Sequence, residues 1–395
     1  MVSDLRKDFN RRFTEEKYHR FLRRMDFLCG DHVPFRISET PVFIPKDLVD
    51  AMAEQGKELI LQAMSQTEVL DRARQLIPPR FRAPNENPHP LFAAVDFGLT
   101  LDADGRPVPK LIELQGFPTM FVYQTVLTQQ YREVFDLPRE LTSLLSGLTT
   151  DSYFELFREV ILRSHDPENV VLLELDPHLQ KTRVDFILTE RVCGIRTVNK
   201  RDLIREGRQL FYRHEGRLVH IQRIYNRTIA DEVIRSGAEL PFHFSDDVDV
   251  EWAGHPNWYF TLSKFSIPFL RHPAVPKTVF LPEADIPDDL SGWVLKPLFS
   301  FAGSGVVMSP TRNDIDGIPE GERKNYILQE KVEYNGMIGT PHGLTKCEIR
   351  MMYFWPDDAP VPVNNLVRMG RGAMMGVDHN KGQAWVGSSA GLYLP

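Results

Sequence analysis

The chain has 395 residues, of which 42% are hydrophobic and 26% charged, the make-up of a globular protein with room for two or three packed lobes. Its 47 basic and 54 acidic residues give a net charge of −7, which argues against a general nucleic-acid or membrane-surface binder and leaves room for a local basic pocket. No apolar run approaches the roughly 18 residues of a membrane span, and the charged N-terminus has no apolar signal core.

Residues 1–90 read as a helical N-terminal region. "DLVDAMAEQGKELILQAMSQTEVLDRARQLI" repeats apolar residues at three- and four-residue steps, and "PPRFRAPNENPHP" is a Pro-rich connector. The "FTEEKYHRFLRRM" face reads as packing and solvated surface, not as a binding helix. Residues 91–150 open with a hairpin. Its two apolar runs flank the turn residues Asp102, Asp104, Gly105 and Pro107, and a helix follows. From 151 to 250, "NVVLLELDP", "QKTRVDFILTERVCGIRTV" and "RLVHIQRIYNRTIADEVI" alternate strand and helix, the pattern of a small parallel α/β unit. Residues 251–395 carry Gly-rich and strand-like segments to the end. Cys29, Cys193 and Cys347 are scattered, which fits free buried thiols in a reducing cytoplasm.

The chemistry concentrates in a few stretches. In "KLIELQGFPTMF", Glu113 and Gln115 lie two apart and share one face of a strand. A buried acid there needs a cationic answer or a metal; a structural network with arginines is the competing reading. "WVLKPLFSFAGSGVVM" places Lys296 at the end of a β-rich run before Gly303, Ser304 and Gly305. Glycines admit phosphate to the backbone and a lysine supplies charge, although an ordinary Gly-containing hairpin reads the same way. No P-loop signature occurs. "LSKFSIPF" offers Lys264, and "NYILQEKVE" ends a strand in Gln329, Glu330, Lys331 and Val332, whose backbone could meet a purine edge. "CEIRMMYFW" puts Glu348 and Arg350 on one strand face, and "NNLVRMGRG" carries Arg368 and Arg371.

Taken in order, "SKF", "VPKT", "VLKP", "FAGSGVV", "ILQEKV" and "EIRMMYF" resemble the ATP-grasp superfamily. In that family an Asp and a Glu-x-Asn normally follow the last arginine and ligate magnesium. Here "VDFG" and "KLIELQG" supply Asp96, Glu113 and Gln115 at the front instead. The chain therefore resembles the circularly permuted ATP-grasp proteins, the relatives of glutathionylspermidine synthetase, over roughly residues 90–395. It departs from them in having Gln115 for the family's Asn and Ala94 where many relatives carry an arginine.

The resemblance implies an α/β fold with α+β elements: an ATP-grasp fold in permuted order, a small parallel α/β domain of pre-ATP-grasp type and the helical N-terminal region. It further implies ATP and two Mg2+ ions, with Asp96, Glu113 and Gln115 as metal ligands. Lys264, Lys296, Gly303, Ser304, Gly305, Gln329, Glu330, Lys331 and Val332 are implied to hold the nucleotide, and Arg350, Arg368 and Lys296 to serve catalysis. The implied activity is an ADP-forming ligase joining a small-molecule carboxylate, peptide-like ones included, to an amine through an acyl phosphate. A nucleotide-binding protein with altered chemistry and a small-molecule phosphotransferase are the alternatives. The oligomeric state has no signature in the sequence.

Several signals are set aside. "VDFG" imitates the kinase magnesium motif, but no H-R-D loop occurs and the order is reversed. "HEGRLVH" spaces its histidines by six and reads as a hairpin turn. "GSSAG" reads as a tail loop near the nucleotide. Tyr225, Asn226 and Arg227 read equally as pocket lining or as a structural corner.

Overall fold

The computed structural model describes residues 1–237, 239–300, 303–380 and 382–395. Its centre is a six-stranded antiparallel sheet. The order runs Gly387–Ser389, Val361–Gly370, Gly343–Phe354, Phe92–Leu101, Pro107–Gln115, with Ile338–Thr340 paired to the start of Gly343–Phe354. The front hairpin thus lies beside strands from the last sixty residues of the chain. Alternation along the strands sorts the two faces. Val95, Phe97, Leu99, Ile349, Met351, Val367 and Met369 pack against Leu48, Val49, Met52, Leu59 and Ile60 of helix Lys46–Met64. The opposite face carries Asp96, Glu348 and Arg350.

A second antiparallel sheet, ordered Thr278–Phe280, Tyr326–Glu330, Trp293–Pro297, Val307–Met308, stands across a cleft from the charged face. The 3-10 helix Lys264–Phe269 joins the two; Ser263 caps it by accepting the Phe265 N–H at 3.3 Å. The stretch between 170 and 253 forms a four-stranded parallel sheet, Glu251–Ala253, Arg223–Asn226, Val170–Glu174, Arg196–Asn199. Every residue of Val170–Glu174 is buried, as expected of a strand covered on both faces. "HEGRLVH" is the turn between strands Gln209–His214 and Arg217–Ile221. Helix Glu15–Cys29 buries Tyr18, Phe21, Met25 and Cys29 and leaves its charged face to solvent.

One expectation is corrected here. "GSSAG" is not a loop: Gly387–Ser389 pairs with Val361–Gly370, and Gly391–Leu392 runs parallel to Val42–Phe43, all of it buried. The three cysteines are free and buried. Among the described residues, no helix is long and apolar enough to cross a membrane.

Candidate functional site

Strand register builds the charged face. Asp96 lies opposite both Glu113 and Arg350, and Glu348 lies opposite Arg368. Directly opposed residues share a face, so five ionisable side chains form one patch. Asp96, 1% exposed, receives a forked pair of bonds from Arg350 (Nε to Oδ1, 2.5 Å; Nη2 to Oδ2, 2.6 Å) and a third from Arg368 at 2.6 Å. Burial works to raise its pKa, but the two guanidiniums hold it below the ordinary carboxylate value. Glu348 behaves oppositely. Burial pushes it up, against Arg368 at 3.3 Å, and its other oxygen accepts the Tyr334 hydroxyl at 2.6 Å. Gly98 makes that contact possible, since a Cβ there would stand 2.7 Å from the Tyr334 ring.

The two lysines reach this sheet from across the cleft. Lys264 Nζ donates to Glu113 Oε1 at 2.7 Å and to the Ser300 carbonyl at 3.1 Å. Burial raises the Glu113 carboxyl, and Lys264 overcomes it to hold the group below its ordinary value. A β-bulge between Asp96 and Phe97 places Glu113 opposite Asp96 but Leu111 opposite Phe97, leaving Ile112 as the extra residue. Its carbonyl accepts Lys296 Nζ at 3.0 Å, and Gln329 Oε1 accepts the same ammonium at 2.5 Å. Burial lowers the Lys296 pKa to about 8.

Two adjoining cavities flank these groups. The smaller, about 110 Å³, is lined by Asp96, Glu113, Lys264, Lys296, Gly303, Gln329, Glu330, Val332, Tyr334, Glu348 and Arg368, with Val294, Met308 and Met374 as apolar wall. The larger, about 260 Å³, shares Glu113, Lys264, Gly303, Arg368 and His379 with it, and adds Gln115, Phe117, Tyr259, Phe299 and Arg350. The segment 371–380 roofs both. Asn380 ties it down, accepting the Arg371 and Gly372 N–H groups and donating to the Met374 and Gly376 carbonyls. Asp378 in this roof pairs with Lys181.

The structure therefore gathers Asp96, Glu113, Lys264, Lys296, Gly303, Gln329, Glu330, Val332, Arg350 and Arg368 around one cleft. Other expectations change. Asp96 is not an open carboxylate, because both its oxygens are taken by arginines. Gln115 faces only the larger cavity and Asp96 only the smaller, so the two do not converge on one point; Glu113 borders both. Gln329 turns its side chain inward to Lys296. Lys331 lines neither cavity: its ammonium pairs with Glu333 at 2.8 Å and its N–H with the Gly292 carbonyl. Ser304 and Gly305 are exposed and stand outside both cavities, and Phe301 and Ala302 of the same Gly loop lie outside the described residues. Arg371 anchors the Ala384 carbonyl at 2.8 Å.

Tyr225, Asn226 and Arg227 form a structural corner. Buried Asp185 accepts the Val122 and Tyr123 N–H groups at the start of helix Phe121–Val134 and an Arg227 N–H at 2.8 Å. Tyr334 and His379 border the smaller cavity with no motif to mark them, and Glu348, noted beside Arg350 in the sequence, borders it too.

No protein-family model matches the chain, and no curated protein is similar to it in sequence. Among solved structures it is similar to the apo form of a glutathione synthetase-like effector from Globodera pallida, with a TM-score of 0.57 and 11% identity over 91% of this chain and 90% of that one. The chain thus has an α+β fold similar to that of a glutathione synthetase-like protein.

Proposed function

We propose that the chain is an ATP-grasp-type ligase in permuted order that joins a carboxylate to an amine and forms ADP. One observation carries the reading: Glu113 of the front hairpin meets Lys264 of the last third at 2.7 Å, at the border of two joined cavities. The fold it shares with a glutathione synthetase-like protein supports it.

The lining of the smaller cavity offers what a nucleotide's purine and phosphates need. Val294, Met308 and Met374 offer an apolar slot, and the Val332 N–H, which makes no hydrogen bond among the described residues, can meet a purine edge. Lys264, Lys296 and Arg368 supply cations for the phosphates. Among the described residues no cluster of three or more His, Cys, Asp or Glu side chains could hold a metal by itself. Glu113 and Glu348 are hard oxygen donors, which fits magnesium brought with the nucleotide, an ion that keeps waters and shares phosphate oxygens. Bound there, magnesium supplies neutralisation of phosphate charge. In the reaction, a carboxylate oxygen attacks the γ-phosphorus and the bond to the departing ADP oxygen breaks. The amine nitrogen then attacks the acyl carbon, inorganic phosphate leaves and the nitrogen loses a proton. Lys264 and Lys296 position the nucleotide, and the 371–380 roof excludes water.

A second reading, a nucleotide-binding protein without ligation, is favoured by the closed Asp96 cluster. Incubation with Mg-ATP and pools of acids and amines separates the two. The ligase reading expects substrate-dependent release of ADP and phosphate. AMP with pyrophosphate removes it, and a thermal shift with Mg-ATP but no turnover leaves the second reading.

A further inference from the structure

From the larger cavity we infer the acid: a monocarboxylic acid with an aryl or branched alkyl body, not a zwitterionic or peptide-like one. This rests on the ligase reading only in assigning the cavity to the acid. One side of the cavity is apolar and aromatic, with Phe117, Met120, Tyr259, Leu262 and Phe299, and the other is polar. Phe117 and Tyr259 meet edge to face with centroids 5.8 Å apart. The volume of about 260 Å³ exceeds the roughly 150 Å³ of a dry apolar cavity that takes benzene, so a ring and a short acid arm fit.

Most charges facing this space already have partners within the protein, and the His379 ring borders it as well. Glu113 holds Lys264, Asp96 holds Arg350 and Arg368, and Asp378 pairs with Lys181. A substrate carrying an α-ammonium and a second carboxylate meets only countercharges already engaged with one another, and drawing them away leaves their partners unpaired. One carboxylate is accommodated. Arg368, whose side chain is 22% exposed, borders the cavity, and the Gln115 amide makes no hydrogen bond among the described residues. Gln115 therefore reads the acid group of the substrate, and the aromatic wall reads its body.

The test is calorimetric titration of the full chain, in the presence of Mg-ADP, with 3-phenylpropionate, 4-methylpentanoate and alanylglycine, plus phosphate release from Mg-ATP with hydroxylamine as the nucleophile. The two apolar acids are expected to bind at least tenfold more tightly than the dipeptide. Tyr259→Ala and Phe299→Ala are each expected to weaken 3-phenylpropionate about tenfold. Gln115→Leu is expected to erase the preference for 3-phenylpropionate over its methyl ester while leaving ester affinity unchanged, which separates recognition from a general loss of structure. Equal or tighter binding of the dipeptide, or no binding of either apolar acid, overturns the inference. Binding of the apolar acids without phosphate release sustains the inference and removes the ligase reading. Phosphate release driven by the dipeptide alone sustains the ligase reading and overturns the inference.

Discussion

Replacing Asp96 by Asn keeps its shape and removes the one negative charge beneath two guanidiniums. Three charge-assisted hydrogen bonds, at 2.5, 2.6 and 2.6 Å, converge on this carboxylate. At about 1.5–3 kcal/mol each, a simple sum overstates the loss. The Asn oxygen still accepts one bond, and Arg368 keeps Glu348 at 3.3 Å and some water. Arg350 is the exposed liability: it is buried and its only ion-pair partner among the described residues is Asp96. Stripping one partner from such a pair costs about 3–5 kcal/mol, the loss expected for Asp96→Asn. Urea unfolding at neutral pH reads it as a lower midpoint with unchanged slope. In a double-mutant cycle with Arg350→Met, part of the loss is expected to return, because the unpaired charge is gone. The pH dependence has a fixed sign. The Asp96 carboxyl titrates below its unfolded value of about 3.9, so its stabilisation is complete above that value and is lost as pH falls below it. The wild-type advantage over Asp96→Asn must therefore shrink on acidification below about pH 4. A loss under about 1 kcal/mol at neutral pH, or a gap that widens in acid, refutes the reasoning.

Lys296→Met is expected to weaken ATP binding at least tenfold by calorimetry, and wild-type affinity should decline as pH rises through about 8, where this ammonium discharges. Asp185→Ala removes a buried ion pair and a helix cap together, and about 3–5 kcal/mol should disappear in urea unfolding. Lys200 sits over the Phe244 ring at 3.4 Å, and burial lowers its pKa to about 7. Between about pH 7 and the ordinary lysine value of 10.5 the unfolded chain binds this proton and the folded one does not. Stability should therefore rise with pH across that window, and Lys200→Met should flatten the rise in urea midpoints measured from pH 7 to 10. Gly98→Ala pushes on the Tyr334 ring; a cost of about 1–3 kcal/mol in unfolding is expected, with a weakened response of thermal stability to Mg-ATP.

The sequence was most readable where one strand's own alternation sets its fate. The 92–115 hairpin declares itself by two apolar runs around Asp102–Pro107, and the acid within it marks a polar face. The parallel strand Val170–Glu174 is an unbroken apolar run for the same reason. Pairing across long separations is not written locally. Gly387–Ser389 looks like a loop because its composition is small and polar, yet Val361–Gly370 and the Arg36–Ser38 backbone hold it as a strand. Lys331 sits in a run of consecutive strand-end residues, where alternation alone decides which side chains meet the cavity; Glu330 and Val332 border it and Lys331 does not. The closure of Asp96 by arginines depends on register across three strands, two of which bring their arginines from more than 250 residues downstream. Tyr334 was unreadable because its place depends on the missing side chain at Gly98, far away in the sequence.

That long-range register also sets a folding order. The Asp96 strand has two neighbours, its own hairpin mate and a strand beginning at Gly343. Until translation has delivered that later strand, one edge of the hairpin is open, with a buried-type carboxylate and unpaired amides displayed to solvent or to a chaperone. The parallel sheet between residues 170 and 253 closes on itself well before then. Completion of the charged cleft is therefore the final act of assembly, and a ribosome stalled before Gly343 leaves a chain whose middle is folded and whose cleft does not yet exist.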